Sequence, residues 1–149
     1  MASGKAHARA SLILAVPTGI VAGIGLDSVL VGIGAAVGSV LGIALTPDLD
    51  QEMTTYFEWK LIRKTGPLGF LWMALWSVYS LALPHRSHLS HFPILGTLGR
   101  LLYLAVIAAI IWLIAGRPEV CFPVWLHTLG LGVILGLAVS DVAHWIMDF

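Results

Sequence analysis

The chain has 149 residues, of which 58% are hydrophobic and 11% are charged, and its formal net charge at pH 7 is zero. The length is that of one domain. Because a soluble domain carries about 25% charged residues, this composition and a mean hydropathy of +0.93 exclude an ordinary soluble fold and favour lipid as the solvent. The balanced charge gives no indication of nucleic-acid binding, and the single cysteine, Cys121, excludes an internal disulfide.

Two apolar runs, residues 11–26 and 29–45, open the chain with a two-residue turn between them. Their composition predicts membrane helices that form a hairpin. A signal peptide would resemble the first run, but the second run follows almost at once, so we expect a retained helix. Small residues that let helix backbones approach closely recur every four residues in the second run: Gly34, Gly38 and Gly42.

A polar segment of mixed charge, residues 48–66, comes next, and in it aromatic residues precede basic ones. This pattern is typical of a segment anchored at the membrane surface, with specific lipid recognition as the alternative. Three further apolar runs follow at residues 68–83, 93–115 and 122–139. In the first of these, Trp72, Trp76 and Tyr79 share one helical face and predict a set of interfacial aromatic residues. The last run predicts a helix that continues to the C-terminus.

The number of membrane spans depends on residues 68–83. If this run crosses, the chain has five spans, and the loops at Asp48 and His85 lie on opposite sides. If it lies in the interface or re-enters, the chain has four spans and the two loops share a side. In the four-span arrangement seven of the eight Lys and Arg residues lie near one face, as the positive-inside rule requires of a cytoplasmic face.

We therefore predict an all-α integral membrane helical bundle of four spans plus one interfacial or re-entrant helix. Both termini are expected on the cytoplasmic side of an inner (cytoplasmic) or thylakoid-type membrane. In this topology a set of histidines and aspartates gathers at the cytoplasmic end of the bundle, and His127 is left at the far end. The set is His7, Asp48, Asp50, His85, His88, His91, Asp141, His144 and Asp148.

Asp141, His144 and Asp148 have the spacing i, i+3, i+7 and share one helix face, although a capped helix end with solvated carboxylates is the alternative. Ionisable groups at a membrane need partners, and one divalent metal can be the partner of several. Mixed histidine and aspartate ligands favour zinc, with manganese or iron as alternatives, and the number of groups allows one or two ions. We predict a single metal-binding domain over residues 1–149.

The segment from His85 to His91 contains three histidines in seven residues. On a regular helix its first and last histidines would point about 240° apart, so they converge only in an irregular segment, which Pro84 and Pro93 favour. A merely solvated loop is the alternative. The guanidinium of Arg86 suits a phosphate or carboxylate, and we predict that it binds the substrate anion.

Asp48 and Asp50 face the same way if their loop is extended. One can then bind a metal while the other orients a ligand histidine or bridges a second ion, although such a pair alone is a weak signal. His7 lies on the first turn of the first helix, where a lone histidine more often lies at the membrane interface than binds a metal. It joins the predicted metal-binding set because the topology brings it to the same end.

Four motifs carry a family resemblance: Ser3-Gly4-x-x-His7, Pro47-Asp48-Leu49-Asp50, His85-Arg86-Ser87-x-x-Ser90-His91 and Asp141-x-x-His144-x-x-x-Asp148. Through these motifs the whole chain resembles a largely cyanobacterial family of uncharacterised, predicted metal-binding membrane proteins. It is more distantly similar to inner-membrane proteins classed as metal-dependent hydrolases, in which the His-Arg block closes one residue earlier than His91. His88 matches neither pattern. The resemblance implies a metal site more directly than it implies a reaction.

Two functions follow. The first is a metal-dependent hydrolase of a lipid or lipid-like phosphoester, in which the metal activates water, Asp50 or Asp148 is the general base and Arg86 holds the substrate. The second is a non-catalytic metal-binding protein, as a homo-oligomer or as an accessory subunit of a larger membrane complex. A transporter is less favoured, because no polar residue marks a path through the bilayer centre. An open metal position beside an anion pocket would favour the enzyme.

Overall fold

The computed structural model describes residues 3–51, 54–85 and 87–148, apart from the side chain of His88. The described residues form seven α-helices and one 3₁₀ turn, and they contain no strand, so the predicted all-α class is confirmed. In chain order the elements are α1 (Gly4–Gly25), α2 (Val29–Leu41), the 3₁₀ turn (Pro47–Asp50), α3 (Tyr56–Thr65), α4 (Pro67–Ala82), α5 (His88–His91), α6 (Leu95–Ile114) and α7 (Val124–Asp148).

Three helices, α1, α6 and α7, are long and apolar enough to cross a membrane. Helix α2 has 13 residues and α4 has 16, both fewer than the roughly 20 that span the hydrocarbon core. Helix α2 ends at Leu41, four residues before the end of the apolar run, because the chain turns at residues 42–45. Three of the predicted spans thus have the required length, and the fourth stays a prediction.

Helices α2 and α7 pack with their backbones in direct contact. A Cβ atom added to Gly38 would lie 2.1 Å from the carbonyl oxygen of Val133 on α7, and one added to Gly136 would lie 2.0 Å from that of Ala35 on α2. Neither separation leaves room for a side chain. The predicted close approach at the α2 glycines is confirmed, and α7 supplies a matching set of glycines.

Helix α1 completes a three-helix unit with α2 and α7. Its start is capped by Ser3, whose hydroxyl accepts a hydrogen bond from the backbone N–H of Ala6. Two turns further on, the hydroxyls of Ser11 on α1 and Ser140 on α7 lie 2.7 Å apart. This contact sets the register of the two helices, so that the start of α1 meets the end of α7.

Helices α3 and α4 form a hairpin that leaves this end of the structure and returns to it. Helix α3 begins with a capping box between Thr55 and Glu58. After α4 the chain reaches His85, whose Nδ1 lies 2.7 Å from Oδ1 of Asp50. The loops at Asp50 and His85 therefore share one end of the structure, as the four-span topology requires.

The aromatic face of α4 forms part of a small hydrophobic core. Trp76 and Tyr79 are only 1% and 4% exposed and pack against Leu49 of the 3₁₀ turn, with Trp72 and Tyr103 beside them. The prediction of interfacial aromatic residues is therefore corrected for Trp76 and Tyr79. Helical spacing showed that these rings share a face, but the fold of the hairpin decided what that face contacts.

Candidate metal centre

Four side chains converge at the end of the bundle where α1 begins and α7 ends. Asp48, His91, His144 and Asp148 each bring one candidate ligand atom within 4.8 Å of the others. Nε2 of His144 lies 3.6 Å from Oδ1 of Asp48 and 3.4 Å from Oδ2 of Asp148. Nε2 of His91 lies 3.8 Å from the same oxygen of Asp48. We call these residues the four-residue cluster; they come from the 3₁₀ turn, α5 and α7.

The geometry of the cluster fits a divalent cation. Its separations are too long for good hydrogen bonds, whereas neighbouring ligand atoms around a tetrahedral ion with bonds of about 2.0–2.2 Å lie about 3.3–3.6 Å apart. Among the described residues, Nε2 of His91, Nε2 of His144 and Oδ1 of Asp148 are buried and form no hydrogen bond of good geometry, although charged groups lie 3.2–3.8 Å from them. Buried polar atoms without partners are rare because they are costly, and a cation would supply the missing interaction.

His7 lies against the cluster without belonging to it. Its ring stacks on that of His144, with centroids 3.7 Å apart and planes at 15°, and its Nε2 lies 3.2 Å from Oδ1 of Asp148. On the other side of His144, Nδ1 lies 3.5 Å from the hydroxyl of Thr46. These contacts fix the orientation of His144 so that Nε2 points into the cluster.

Asp50 lies behind His91, at 1% exposure. Its Oδ1 lies 2.7 Å from Nδ1 of His85, and its Oδ2 accepts a hydrogen bond of 2.6 Å from the hydroxyl of Ser90. Nδ1 of His91 lies 3.3 Å from Oδ2 of Asp50. A carboxylate at one imidazole nitrogen orients the other nitrogen towards a metal, so Asp50 directs Nε2 of His91 into the cluster.

A second group of candidate ligands adjoins the first. Asp50, His85 and His91 also bring one ligand atom each within 4.8 Å of one another. His91 belongs to both groups, and it can reach two ions only by using both ring nitrogens. The prediction of one or two ions therefore stays open.

Asp141 lies in neither group. Its Oδ2 accepts hydrogen bonds from Nη2 of Arg100 and from the hydroxyl of Thr97, and Arg100 also donates to the backbone carbonyl of Ser90 at 3.3 Å. The spacing argument put Asp141 beside Asp148, but seven helical residues separate the two along α7 by about 10.5 Å. In the structure Asp141 pairs with Arg100 and lies outside both groups of candidate ligand atoms.

Sequence reasoning missed the supporting residues of the site. Arg100 carried a usable signal, because an arginine inside an apolar run needs a buried partner, and Asp141 is the first acidic residue after the last apolar run. Ser90 belongs to the His85–His91 motif that carried the family resemblance, but the motif did not indicate its contact with Asp50. Thr46 carried no signal, since hydroxyl residues are common in such segments. Arg86, the predicted substrate residue, lies outside the described residues, as does the side chain of His88.

The charges of the site are strongly coupled. Burial alone would raise the pKa of Asp48, but the imidazoles of His144 and His91 outweigh it and hold that pKa far below its ordinary value. Burial would lower the pKa of His91, but Asp48 and Asp50 raise it to about 9. Without an ion, His91 therefore holds a proton between two carboxylates. A bound cation would take the place of that proton, since metal binding requires neutral imidazole.

A comparison with protein families shows which family the chain belongs to. Residues 2–149 match the family described as uncharacterized metal-binding protein (DUF2227). The chain belongs to this metal-binding family. Its membership confirms the predicted resemblance over the whole chain and agrees with the His/Asp geometry in supporting a bound metal ion. The curated proteins and the solved structures gave no significant match. The cyanobacterial origin of the family and its similarity to hydrolases stay predictions.

Proposed function

We propose that this metal-binding protein is a membrane-embedded, metal-dependent hydrolase whose ion is held by the four-residue cluster. The observation that carries the proposal is the meeting of buried ligand atoms from three separate segments, several of which form no hydrogen bond of good geometry in the described chain. Two imidazoles and two carboxylates favour zinc, with manganese or iron as alternatives. Asp50 and His85, together with His91, could hold a second ion.

A membrane location is supported by the outer surface of the long helices. Ile13 on α1, Ile114 on α6 and Val124 on α7 are more than 70% exposed, at 73%, 82% and 81%. Apolar surface of this extent is unfavourable in water and favourable in lipid. Together with the charge distribution, it supports a multi-pass protein with the metal centre and both termini at the cytoplasmic face.

A small cavity offers a place for the water that the proposed reaction needs. It has a volume of about 20 Å³ and borders His7, Asp48 and His144, which is enough for about one water molecule. A divalent ion supplies Lewis acidity, which lowers the pKa of water and polarises a phosphoryl oxygen. His7 lies where it can accept a proton from water in this cavity, and Asp148 would stabilise the resulting imidazolium.

These contacts revise the predicted general base. Both carboxylate oxygens of Asp50 are engaged by His85 and Ser90, so Asp50 is better placed to orient His91 than to accept a proton from substrate water. We propose His7, coupled to Asp148, as the base. Asp148, the other candidate from sequence, keeps a part in this arrangement.

A non-catalytic metal-binding subunit is the second candidate. One observation favours it, since the four candidate ligand atoms could complete a tetrahedral set without any water. In that arrangement the ion would be structural, and the cavity beside His7 would have no role in chemistry.

Elemental analysis of protein purified without chelator, followed by a phosphoester turnover assay, tests the proposal. We expect bound transition metal, its loss in Asp48→Asn, and its retention in His7→Gln together with a large fall in turnover. A metal-free preparation that also fails to bind added zinc would refute the metal centre. Metal-loaded protein that turns over no phosphoester would favour the binding subunit.

Arg86 remains the predicted substrate residue. Arg86→Lys keeps the charge and loses the two-pronged contact with phosphate. We expect metal content to be retained and turnover to fall about thirty- to a hundredfold, corresponding to about 2–3 kcal/mol. If the variant loses its metal as His144→Ala is expected to, Arg86 supports the metal site and does not bind substrate.

Cysteine labelling in sealed membranes tests the topology. The native Cys121 is exposed between α6 and α7, and it should label from the face opposite the metal centre. In a chain lacking Cys121, single cysteines at Gln51 and Ser87 should both label from the cytoplasmic face. Labelling of these two positions from opposite faces would show that residues 68–83 cross the membrane.

A further inference from the structure

A pocket lined by basic residues lies between the first turns of α1 and helix α3. It has a volume of about 400 Å³. The two helices begin side by side, and a Cβ atom added to Gly4 would lie 3.0 Å from Cβ of Tyr56. Each helix contributes two cations one helical turn apart. These basic residues are Lys5 and Arg9 on α1 and Lys60 and Lys64 on α3.

None of the four cations forms an ion pair with a carboxylate in the described part of the chain. Lys60 lies 3.4 Å from the hydroxyl of Tyr56, a neutral group. Like charges at i and i+4 repel each other, and no acidic residue among those the structure describes lines the pocket. By contrast, Arg100 is matched to Asp141. The pocket therefore has a charge that favours an anion.

The remaining wall of the pocket is apolar and continues onto the outer face of α1. Leu12, Phe57 and Leu61 line it, and Leu12 is itself exposed on the side of α1 that carries Ile13. A free phosphate would make no favourable contact with this apolar surface, whereas a hydrocarbon chain would be buried against it. We propose that the pocket binds the phosphate of an anionic phospholipid, with the acyl chains along the apolar wall.

The position of the pocket connects it to the metal centre. It shares Tyr56 and Phe57 with the small cavity that borders His7 and His144. An anionic phospholipid held by the basic residues would thus have its headgroup beside the proposed catalytic cavity. As a statement about substrate class the inference rests on the proposed function, but the binding itself requires neither metal nor turnover.

Native mass spectrometry of the detergent-solubilised protein, titrated with phosphatidylglycerol or phosphatidylcholine, tests the proposal. Each basic residue near an anionic lipid surface contributes about fivefold to binding, so Lys60→Gln/Lys64→Gln should bind phosphatidylglycerol about thirtyfold more weakly. Its binding of phosphatidylcholine should not change. The matched control is Arg63→Gln on the same helix, because Arg63 stacks on Trp59 at 4.7 Å and lies outside the pocket lining; it should bind as the wild type does.

Several outcomes would overturn the proposal. Wild-type affinity in the double variant would show that the lysines of the pocket do not bind the lipid. An equal loss in the single variants Arg63→Gln and Lys64→Gln would show attraction to surface charge in general. Displacement of the lipid by glycerol phosphate at similar concentration would show a site for a free phosphate. Metal content measured in the same samples separates this test from the proposed function. Phosphatidylglycerol binding by protein that holds no metal and takes up no added zinc would refute the metal centre and support the pocket.

Discussion

The buried ion pair between Arg100 and Asp141 offers a direct test of how the metal centre is supported. Both residues are 1% exposed, and Arg100 also donates a hydrogen bond to the backbone carbonyl of Ser90. Replacing Arg100 with methionine removes the cation and leaves the carboxylate of Asp141 buried without its charge partner. Breaking a buried pair in this way costs about 3–5 kcal/mol, and we expect the free energy of unfolding to fall by that amount.

Removing both charges should reverse most of the loss. Replacement of a whole buried ion pair by apolar residues is often neutral or stabilising, so Arg100→Met/Asp141→Leu should be more stable than Arg100→Met. Asp141 is not one of the converging ligands, so the double variant should still bind metal. Residues that position metal ligands typically affect metal affinity by about 10–100-fold. Because this pair acts only through Ser90, we expect the double variant to lose about tenfold in metal affinity.

Denaturant titration in mixed micelles, followed by circular dichroism, would measure the unfolding free energies of the wild type and both variants. Elemental analysis of the same preparations would give the metal content, with Asp48→Asn as the metal-deficient control. A folded double variant without metal would show that Asp141 is a ligand after all. A double variant as unstable as Arg100→Met would show that the unpaired carboxylate of Asp141 does not cause the loss of stability.

Three further predictions use matched controls or pH. His144→Ala should abolish metal binding, since it removes one of four ligand atoms, whereas His127→Ala, an exposed histidine on the same helix, should retain it; equal metal content by elemental analysis would contradict this. In the metal-free protein the pKa of His91 is raised from 6.5 to about 9, so its ion-pair stabilisation is complete below about pH 6.5 and is lost as the pH rises through about 9. Thermal unfolding of metal-free protein should show a midpoint that falls over this range, and the fall should be absent in His91→Gln. Gly38→Ala places a Cβ 2.1 Å from a carbonyl oxygen of α7, whereas Gly130→Ala meets nothing within 4 Å. Overpacking should therefore cost Gly38→Ala about 1–3 kcal/mol of unfolding free energy, and similar values for the two variants would contradict the close helix contact.

Features that depend on one segment at a time could be predicted from the sequence. Each apolar run can satisfy its own backbone hydrogen bonds as a helix, which is why α6 lies within the predicted run 93–115 and α7 continues from the last run to Asp148. The glycine spacing on α2 likewise predicted a close contact. The partner at that contact, the glycine face of α7, was not predictable, because spacing within a helix says nothing about which helix packs against it.

The gathering of histidines and aspartates at one end was also predictable, because alternating helix directions bring these segments to the same end. Their separate roles were decided by the tertiary structure. Asp48 and Asp50 are two residues apart, yet the 3₁₀ turn directs Asp48 to His144 and Asp50 to His85. The distances of 3.4–3.8 Å within the four-residue cluster join atoms from three segments. Sequence spacing measures position along one helix, and only the packing of the segments sets the distance between them.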